Sequence, residues 1–138
     1  MTSAGYLLDT NVVSERRRPR PDVRVAKYVD SLRDEAIFLS VLTIGELRRG
    51  AQERAKVDRA HSRRLDAWID GLETSFADRI LPVDLETSTA WGKLAAQRPR
   101  TIVDTLIAAT ALTHNLCLVT RNTRDIADTG VTYFNPWE

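Results

Sequence analysis

The chain has 138 residues, a formal net charge of +1 and a hydrophobic content of 43%, which suits one domain with a single buried core. Cys117 is the only cysteine, which excludes an intramolecular disulfide and a cysteine-rich metal site. No apolar run reaches the length of a membrane span, and Asp9 interrupts the first apolar segment too early for a signal peptide. We therefore expect one domain over residues 1–138, located in the cytoplasm, with no membrane segment.

The basic residues are mostly arginine, since only three of the twenty are lysine. Arginine suits bidentate contacts to phosphate. A GC-rich coding sequence would also raise the arginine content without any functional cause. The net charge, close to zero, does not by itself indicate a nucleic-acid partner.

In the first half of the chain, short apolar strands alternate with helices. Residues 6–8 predict a buried strand that leads through Asp9 into a helix beginning near Val12. Residues 15–21 are charged and contain two prolines, which predicts a surface loop. A helix after Asp22, a strand at residues 36–39 and a third helix follow. Apolar spacing from residue 55 to residue 76 then predicts a long amphipathic helix that forms a hairpin with the third.

In the second half, residues 80–83 predict a short strand, and the next helix starts at Asp84 and stops before Pro99. Residues 101–125 read as an apolar helix, a turn, a buried strand and a polar loop. Residues 131–134 predict a last edge strand. This alternation favours an α/β fold of three layers, with a mostly parallel central sheet covered by helices on both faces.

Acidic residues fall where such a sheet places its ligand crevice. Asp9 follows the first strand, and Asp104 lies inside an apolar helix whose following strand ends near Asp125. Glu46 lies in the helix after the second strand, on the flank of its apolar stripe, where it would otherwise be assigned to solvent.

Each of these positions also has a simpler explanation. Thr101-x-x-Asp104 fits a capping box, and Asn122-x-x-Asp125 fits one more weakly. Asp9 and Asn11 each suit a helix cap as well as a site. For Asp9 we favour the site, because it precedes the residue that is expected to cap the helix.

A cluster of carboxylates at one crevice needs a cation. Two carboxylates about 5 Å apart repel each other by roughly 3 kcal/mol at an effective dielectric constant near 20. Oxygen ligands favour Mg²⁺ or Mn²⁺, and the lack of His or Cys nearby argues against zinc. Such an ion can activate water for attack on a phosphodiester. His61 and His114 lie near no plausible nucleophile, which argues against a serine-histidine-acid site.

Four segments together resemble the PIN-domain ribonucleases, and within them the toxin of VapBC-type toxin-antitoxin pairs. The segments, which span nearly the whole chain, are Leu7-Leu8-Asp9-Thr10-Asn11, Glu46-Leu47-x-x-Gly50, Asp104-x-x-Ile107-Ala108-Ala109-Thr110-Ala111 and Leu118-Val119-Thr120-Arg121-Asn122-x-x-Asp125. The terminal Asn135-Pro136-Trp137 is similar to the ending of one branch of the family.

The resemblance implies a PIN-like fold and endonucleolytic cleavage of RNA that depends on Mg²⁺, with Mn²⁺ as an alternative. It implies that Asp9, Glu46 and Asp104 are the catalytic metal-binding acids, with Asp9 and Asp104 as the direct ligands. The family often has a fourth acid where this chain has Asn122, so either Asp125 takes that role or three acids suffice.

The remaining implications concern supporting residues and partners. Thr10, Asn11, Thr120 and Asn122 would orient ligands or water. The partners would be an RNA substrate, a second copy in a homodimer, and a cognate VapB-type antitoxin that lies along the helical hairpin in a larger assembly.

Two alternatives belong to other classes. A phosphoacceptor signalling domain also has an acidic magnesium pocket, but it would need adjacent acids after the first strand and a lysine after a late strand. Here Thr10 follows Asp9, and the late strand leads to Thr120-Arg121. The other alternative is a PIN-like RNA-binding module without catalysis, which the retained acids argue against.

Overall fold

A parallel five-stranded sheet forms the centre of the computed structural model, which describes residues 5–138. The strand order is β3-β2-β1-β4-β5, and every pair of neighbours is parallel. The strands are β1 (Tyr6–Leu8), β2 (Ile37–Ser40), β3 (Ile80–Leu81), β4 (Cys117–Val119) and β5 (Tyr133–Phe134). The predicted parallel sheet is therefore confirmed, with β5 at one edge as expected.

Helices lie between the strands, as crossovers between parallel strands require. Those in the described residues are α1 (Thr10–Arg17), α2 (Val23–Asp30), α3 (Val41–Ala55), α4 (Arg59–Ser75), α5 (Leu85–Gln97), α6 (Ile102–Thr113) and α7 (Thr123–Ile126). No helix in this part of the chain combines the length and apolar character needed to cross a bilayer.

The two faces of the sheet are buried in two separate cores, because alternate residues of a strand point to opposite faces. Leu8 and Val119 pack on one side with residues of α1 and α2, and the hairpin of α3 and α4 closes this core. Leu7 and Leu118 pack on the other side against Ile107 of α6 and its neighbours, with α5 on the outside of α6. The predicted three-layer arrangement is thus confirmed.

The start of the first helix differs from the prediction. Helix α1 begins at Thr10 rather than near Val12, and Asp9 itself is the cap, since its carboxylate accepts a hydrogen bond from the Thr10 N–H. The helix also continues through Glu15, where the sequence predicts a surface loop. Glu15 is buried, and its carboxylate accepts the N–H of Asp22 at 2.8 Å. The charged character of this segment therefore gave no sign that one of its acids faces inward and connects α1 to the start of α2.

Two further boundaries differ from the prediction. The long helix expected from residue 55 is interrupted by a turn, and α4 starts at Arg59 with Asp58 as its cap. The loop after β4 contains the short helix α7. Both differences arise at polar residues, where apolar periodicity carries no signal.

Arg48 holds the helical hairpin together across its polar side. Its side chain is 32% exposed, and its guanidinium contacts three acids of α4, Asp66, Asp70 and Glu73, at 2.7–2.9 Å. These acids lie four and three residues apart, so they share one face of the helix and would repel one another without the arginine.

Arg48→Gln should therefore lower the free energy of unfolding by roughly 1 kcal/mol at low salt, or about 3 °C in Tm. The loss should shrink in high salt, because partly exposed ion pairs are screened. Thermal unfolding at two salt concentrations measures it, with Arg49→Gln as the control, because Arg49 makes one exposed pair with Glu53. An equal loss in both variants would contradict a special role for the Arg48 cluster.

Candidate active site

Asp9 lies at the carboxyl end of the central strand β1, beside the end of β4. Its backbone N–H donates to the Val119 carbonyl at 2.9 Å, which continues the pairing of these strands. The residue is only 6% exposed. Its Oδ1 accepts the Thr10 N–H at 2.8 Å, and its Oδ2 accepts the Thr120 hydroxyl at 2.7 Å. The sheet and two polar neighbours thus hold this carboxylate in place.

The pKa of the Asp9 carboxyl is raised above its ordinary value. Burial is the largest cause, because it disfavours the charged form. The hydrogen bonds from Thr120 and from the Thr10 N–H oppose the rise, whereas the negative charges of Asp104 and Glu46 add to it. The structure therefore places Asp104 and Glu46 close enough to Asp9 for their negative charges to raise its pKa.

Glu46 reaches this group from α3. It is exposed, as its position on the helical wheel predicts, but its carboxylate accepts a hydrogen bond from the Thr10 hydroxyl. The same hydroxyl lies 3.0 Å from the hydroxyl of the fully buried Thr43. Sequence reasoning missed Thr43, although it precedes Glu46 by three residues and so faces the same way along α3.

Asp104 lies in the first turn of α6 and is half-buried. Thr101 is the cap residue of α6, but its side chain caps no backbone group. Its hydroxyl instead donates to Asp104 Oδ2 at 3.0 Å. The capping-box explanation is therefore wrong for this pair, and the Asp104 carboxylate lines an open cleft of about 310 Å³.

Asp125 lines the same cleft as Asp104, from α7. Asn122 precedes α7, and its side chain makes no capping hydrogen bond, so the weaker capping box is wrong as well. The Asn122 N–H donates to the Thr120 hydroxyl at 3.0 Å. Of the two residues considered for a fourth acidic position, Asp125 faces the Asp104 cleft, and Asn122 supports the hydroxyl that contacts Asp9.

Asn11 does not cap α1 but lies within it. Its side-chain amide donates to Asp9 Oδ2 at 3.4 Å, and its carbonyl oxygen accepts the Arg121 N–H, also at 3.4 Å. The four polar residues named from the sequence, Thr10, Asn11, Thr120 and Asn122, therefore all connect directly or through one neighbour to Asp9 or Glu46.

An ion-pair cluster that sequence reasoning missed forms one wall of the cleft. Arg98 and Arg100 both contact the Asp128 carboxylate, and the Arg100 side chain is 3% exposed. The two guanidiniums hold the pKa of Asp128 far below its usual range. Arg98 also donates to the Asp125 carbonyl at 3.2 Å. The cluster ties the segment before α6 to α7, so it positions Asp104 relative to Asp125.

The donor set fits a hard divalent cation in its chemistry. Asp9, Glu46 and Asp104 offer oxygen ligands alone, and their mutual repulsion would be relieved by a positive charge. Among residues 5–138, no three acidic, His or Cys side chains stand close enough together, as they are placed, to hold a metal ion. The acids can affect the pKa of Asp9 without forming such a group, because charge repulsion acts over longer distances than a coordination bond.

Known proteins resemble nearly the whole chain, including all the residues of this site. The PIN domain family model matches residues 6–131. Toxin FitB of Neisseria gonorrhoeae is 38% identical over 138 residues, covering 95% of this chain and 97% of that protein. VapC ribonuclease Y4jK of Sinorhizobium fredii is 34% identical, covering 96% and 97%. The crystal structure of FitAcB from Neisseria gonorrhoeae superposes with a TM-score of 0.88 at 35% identity, covering 96% of this chain and 99% of that one. The chain therefore belongs to the PIN-domain family.

Proposed function

We propose that this chain is a metal-dependent endoribonuclease and the toxic component of a toxin-antitoxin pair. The observation that carries the proposal is the buried Asp9, whose pKa is raised by burial and by the charges of Asp104 and Glu46. A buried acid that faces further acids at the carboxyl ends of parallel strands is the arrangement expected of a catalytic cation site. The relative from Sinorhizobium fredii is named a VapC ribonuclease, which supports RNA as the substrate.

Asp9, Asp104 and Glu46 would hold the cation, Mg²⁺ or Mn²⁺. When bound, such an ion would supply an activated water and stabilise negative charge on the phosphate. The chain's own residues do the rest. Thr120 and Asn11 fix the orientation of the Asp9 carboxylate, and Thr10 orients Glu46. Asp125, which lines a cleft together with Asp104, would act as the fourth acid.

An antitoxin is the proposed protein partner, in a complex that also contains a toxin dimer. Support comes from the relative named toxin FitB and from similar solved structures described as FitAcB and as FitAB bound to a DNA fragment. On this chain, Trp68, Leu72 and Phe76 line one side of a cleft of about 360 Å³, whose lining also includes the charged Arg16, Asp30 and Asp34. A cleft that combines apolar and charged side chains suits an amphipathic segment of an antitoxin. Binding there would suppress cleavage and thereby relieve the inhibition of translation or growth.

The test is RNA cleavage by the purified, antitoxin-free chain with Mg²⁺, with Mn²⁺ and with EDTA, on total RNA and on defined RNAs. Cleavage should need metal and should fall by at least about 100-fold in Asp104→Asn, because that variant removes a charged ligand but keeps the side-chain size. The matched control is Asp78→Asn, which makes the same change at a carboxylate that is 87% exposed.

Three outcomes separate the possibilities. Metal-dependent cleavage that Asp104→Asn abolishes and Asp78→Asn retains supports the proposal, and a cognate antitoxin should then suppress it. Cleavage that persists in Asp104→Asn would show that the site is wrongly assigned. If the chain neither cleaves RNA nor binds metal in calorimetry, the catalytic function is wrong.

A further inference from the structure

Arg121 stands at the rim of the acidic site. It follows Thr120, whose hydroxyl contacts the Asp9 carboxylate, and its own N–H is 3.4 Å from the Asn11 side chain. Asn11 in turn contacts Asp9. The backbone of Arg121 is therefore fixed to two residues that orient Asp9, although its side chain extends into solvent.

The Arg121 guanidinium lies on an aromatic platform. Its central carbon is 5.0 Å from the centre of the Trp137 ring. Trp137 is 8% exposed and belongs to the core that contains Leu8 and Val119. Its backbone N–H donates to Asn135 Oδ1 at 2.9 Å. Because the ring is buried in the core, this cation–π contact gives the guanidinium a fixed surface to lie against.

Stacking does not use the hydrogen-bond donors of the guanidinium. These N–H groups lie in the plane of the group and point outward from its edge. In residues 5–138, no carboxylate forms an ion pair with Arg121, and no protein acceptor takes a hydrogen bond from its side chain. Arg48, Arg98 and Arg100 instead pair with acids. Arg121 is therefore a positioned cation whose donors face solvent.

We propose that Arg121, held against Trp137, binds a phosphate of the RNA next to the bond that is cut. This inference rests on the proposed function. The guanidinium edge matches two phosphate oxygens, whereas Trp137 already occupies one of its faces. Phosphate also fits the local charge, because Asn11 and Thr120 link Arg121 to Asp9, and the acids of this site repel the RNA backbone. A fixed positive charge at their rim offsets that repulsion where the strand enters.

The test measures RNA binding separately from cleavage. Fluorescence anisotropy with a labelled single-stranded RNA, in EDTA and in an Asp104→Asn background, gives Kd over a range of salt concentrations. Arg121→Gln should weaken binding about fivefold at 0.1 M salt and should reduce the slope of log K against log salt by about 0.7, the value for one lost contact to single-stranded RNA. In the active chain with metal, Arg121→Gln should raise KM more than it lowers kcat, because the contact exists before the reaction.

Two variants serve as controls. Arg124→Gln removes the same charge three residues away, at an exposed arginine for which the described structure shows neither an ion pair nor an aromatic platform; its Kd should change less than twofold. Arg121→Lys keeps the charge but loses the planar fork, so it should keep most of the salt slope while binding more weakly than the unsubstituted chain. Thermal unfolding shows whether each variant is folded. If Arg121→Gln is not folded, the Kd of Arg121→Lys decides whether Arg121 binds phosphate.

The possible results separate this inference from the proposed function. The role of Arg121 would be overturned, even in a chain that cleaves RNA, if Arg121→Gln and Arg124→Gln bound RNA equally well. If Arg121→Gln does not fold, an unchanged Kd in Arg121→Lys would overturn it. Loss of binding specific to Arg121 in a chain that never cleaves RNA would support the phosphate contact and reject the nuclease. Failure of the unsubstituted background to bind RNA at all would overturn the inference.

Discussion

Asp9→Asn is expected to abolish RNA cleavage and yet leave the metal-free chain at least as stable at neutral pH. Cleavage should fall by at least about 100-fold, because the variant removes the carboxylate at the centre of the site. Asparagine remains a good helix cap, so the bond from the Thr10 N–H can persist. Its neutral side chain also avoids the penalty of burying a charge that Asp104 and Glu46 repel.

The pH dependence of stability gives a second measure of the same change. The folded pKa of Asp9 is raised above 3.8, so between that value and the raised pKa the folded chain binds more protons than the unfolded chain. The contribution of Asp9 to the free energy of unfolding is therefore fully present below its pKa in the unfolded chain. It is lost as pH rises through its pKa in the folded chain. The stability of Asp9→Asn relative to the unsubstituted chain should increase as pH rises through this window. Denaturant unfolding in EDTA at a series of pH values measures it.

Asp78→Asn again provides the control, because the Asp78 carboxylate is 87% exposed. Its stability relative to the unsubstituted chain should show no comparable rise with pH over the same range. If Asp9→Asn retained cleavage, the assignment of Asp9 would be wrong. If it unfolded the metal-free chain at neutral pH, the principal role of Asp9 would be that of a structural cap.

Gly5→Ala should be the most destabilising small substitution in the sheet. A Cβ at Gly5 would lie 2.7 Å from the Ala36 carbonyl oxygen and 2.9 Å from the Phe38 ring. The carbonyl belongs to the backbone that leads into β2, so it cannot turn away as a side chain could. We expect a loss of about 1–3 kcal/mol, or roughly 3–10 °C in Tm.

Thermal unfolding of Gly71→Ala provides the matched control. A Cβ at Gly71 meets nothing within 4 Å, and the residue lies inside α4. Alanine there should stabilise the chain by about 0.5–1 kcal/mol, because glycine is a poor helix former. A Tm for Gly5→Ala that equals that of the unsubstituted chain would show that β1 and β2 separate easily at this end.

The local sequence was informative where a residue and its immediate neighbours determine whether a strand or a helix forms. Apolar runs located β1, β2 and β4, and helical spacing located α2 and α4. Asp9 and Asp104 could be named because each is an acid inside or directly after an apolar segment. The same local reasoning was wrong about helix caps. Asp9 caps α1 although Asn11 was the expected candidate, and Thr101 contacts Asp104 instead of the backbone.

The tertiary structure decided which residues meet. Glu46 is exposed on its own helix, and only the packing of α3 beside α1 brings the Thr10 hydroxyl to its carboxylate. Asp128 meets Arg98 and Arg100 across about thirty residues of sequence, and Arg121 meets Trp137 across the last strand.

By itself, the sequence determined the alternation of strands and helices, the oxygen-only chemistry of the acids and the family resemblance. Spacing along the chain determines which face of a helix or strand a residue occupies. It does not determine which face of another element lies opposite, because that depends on the strand order β3-β2-β1-β4-β5 and on the packing of both cores. For that reason the acids could be named from the sequence, whereas the partners that orient them required the fold.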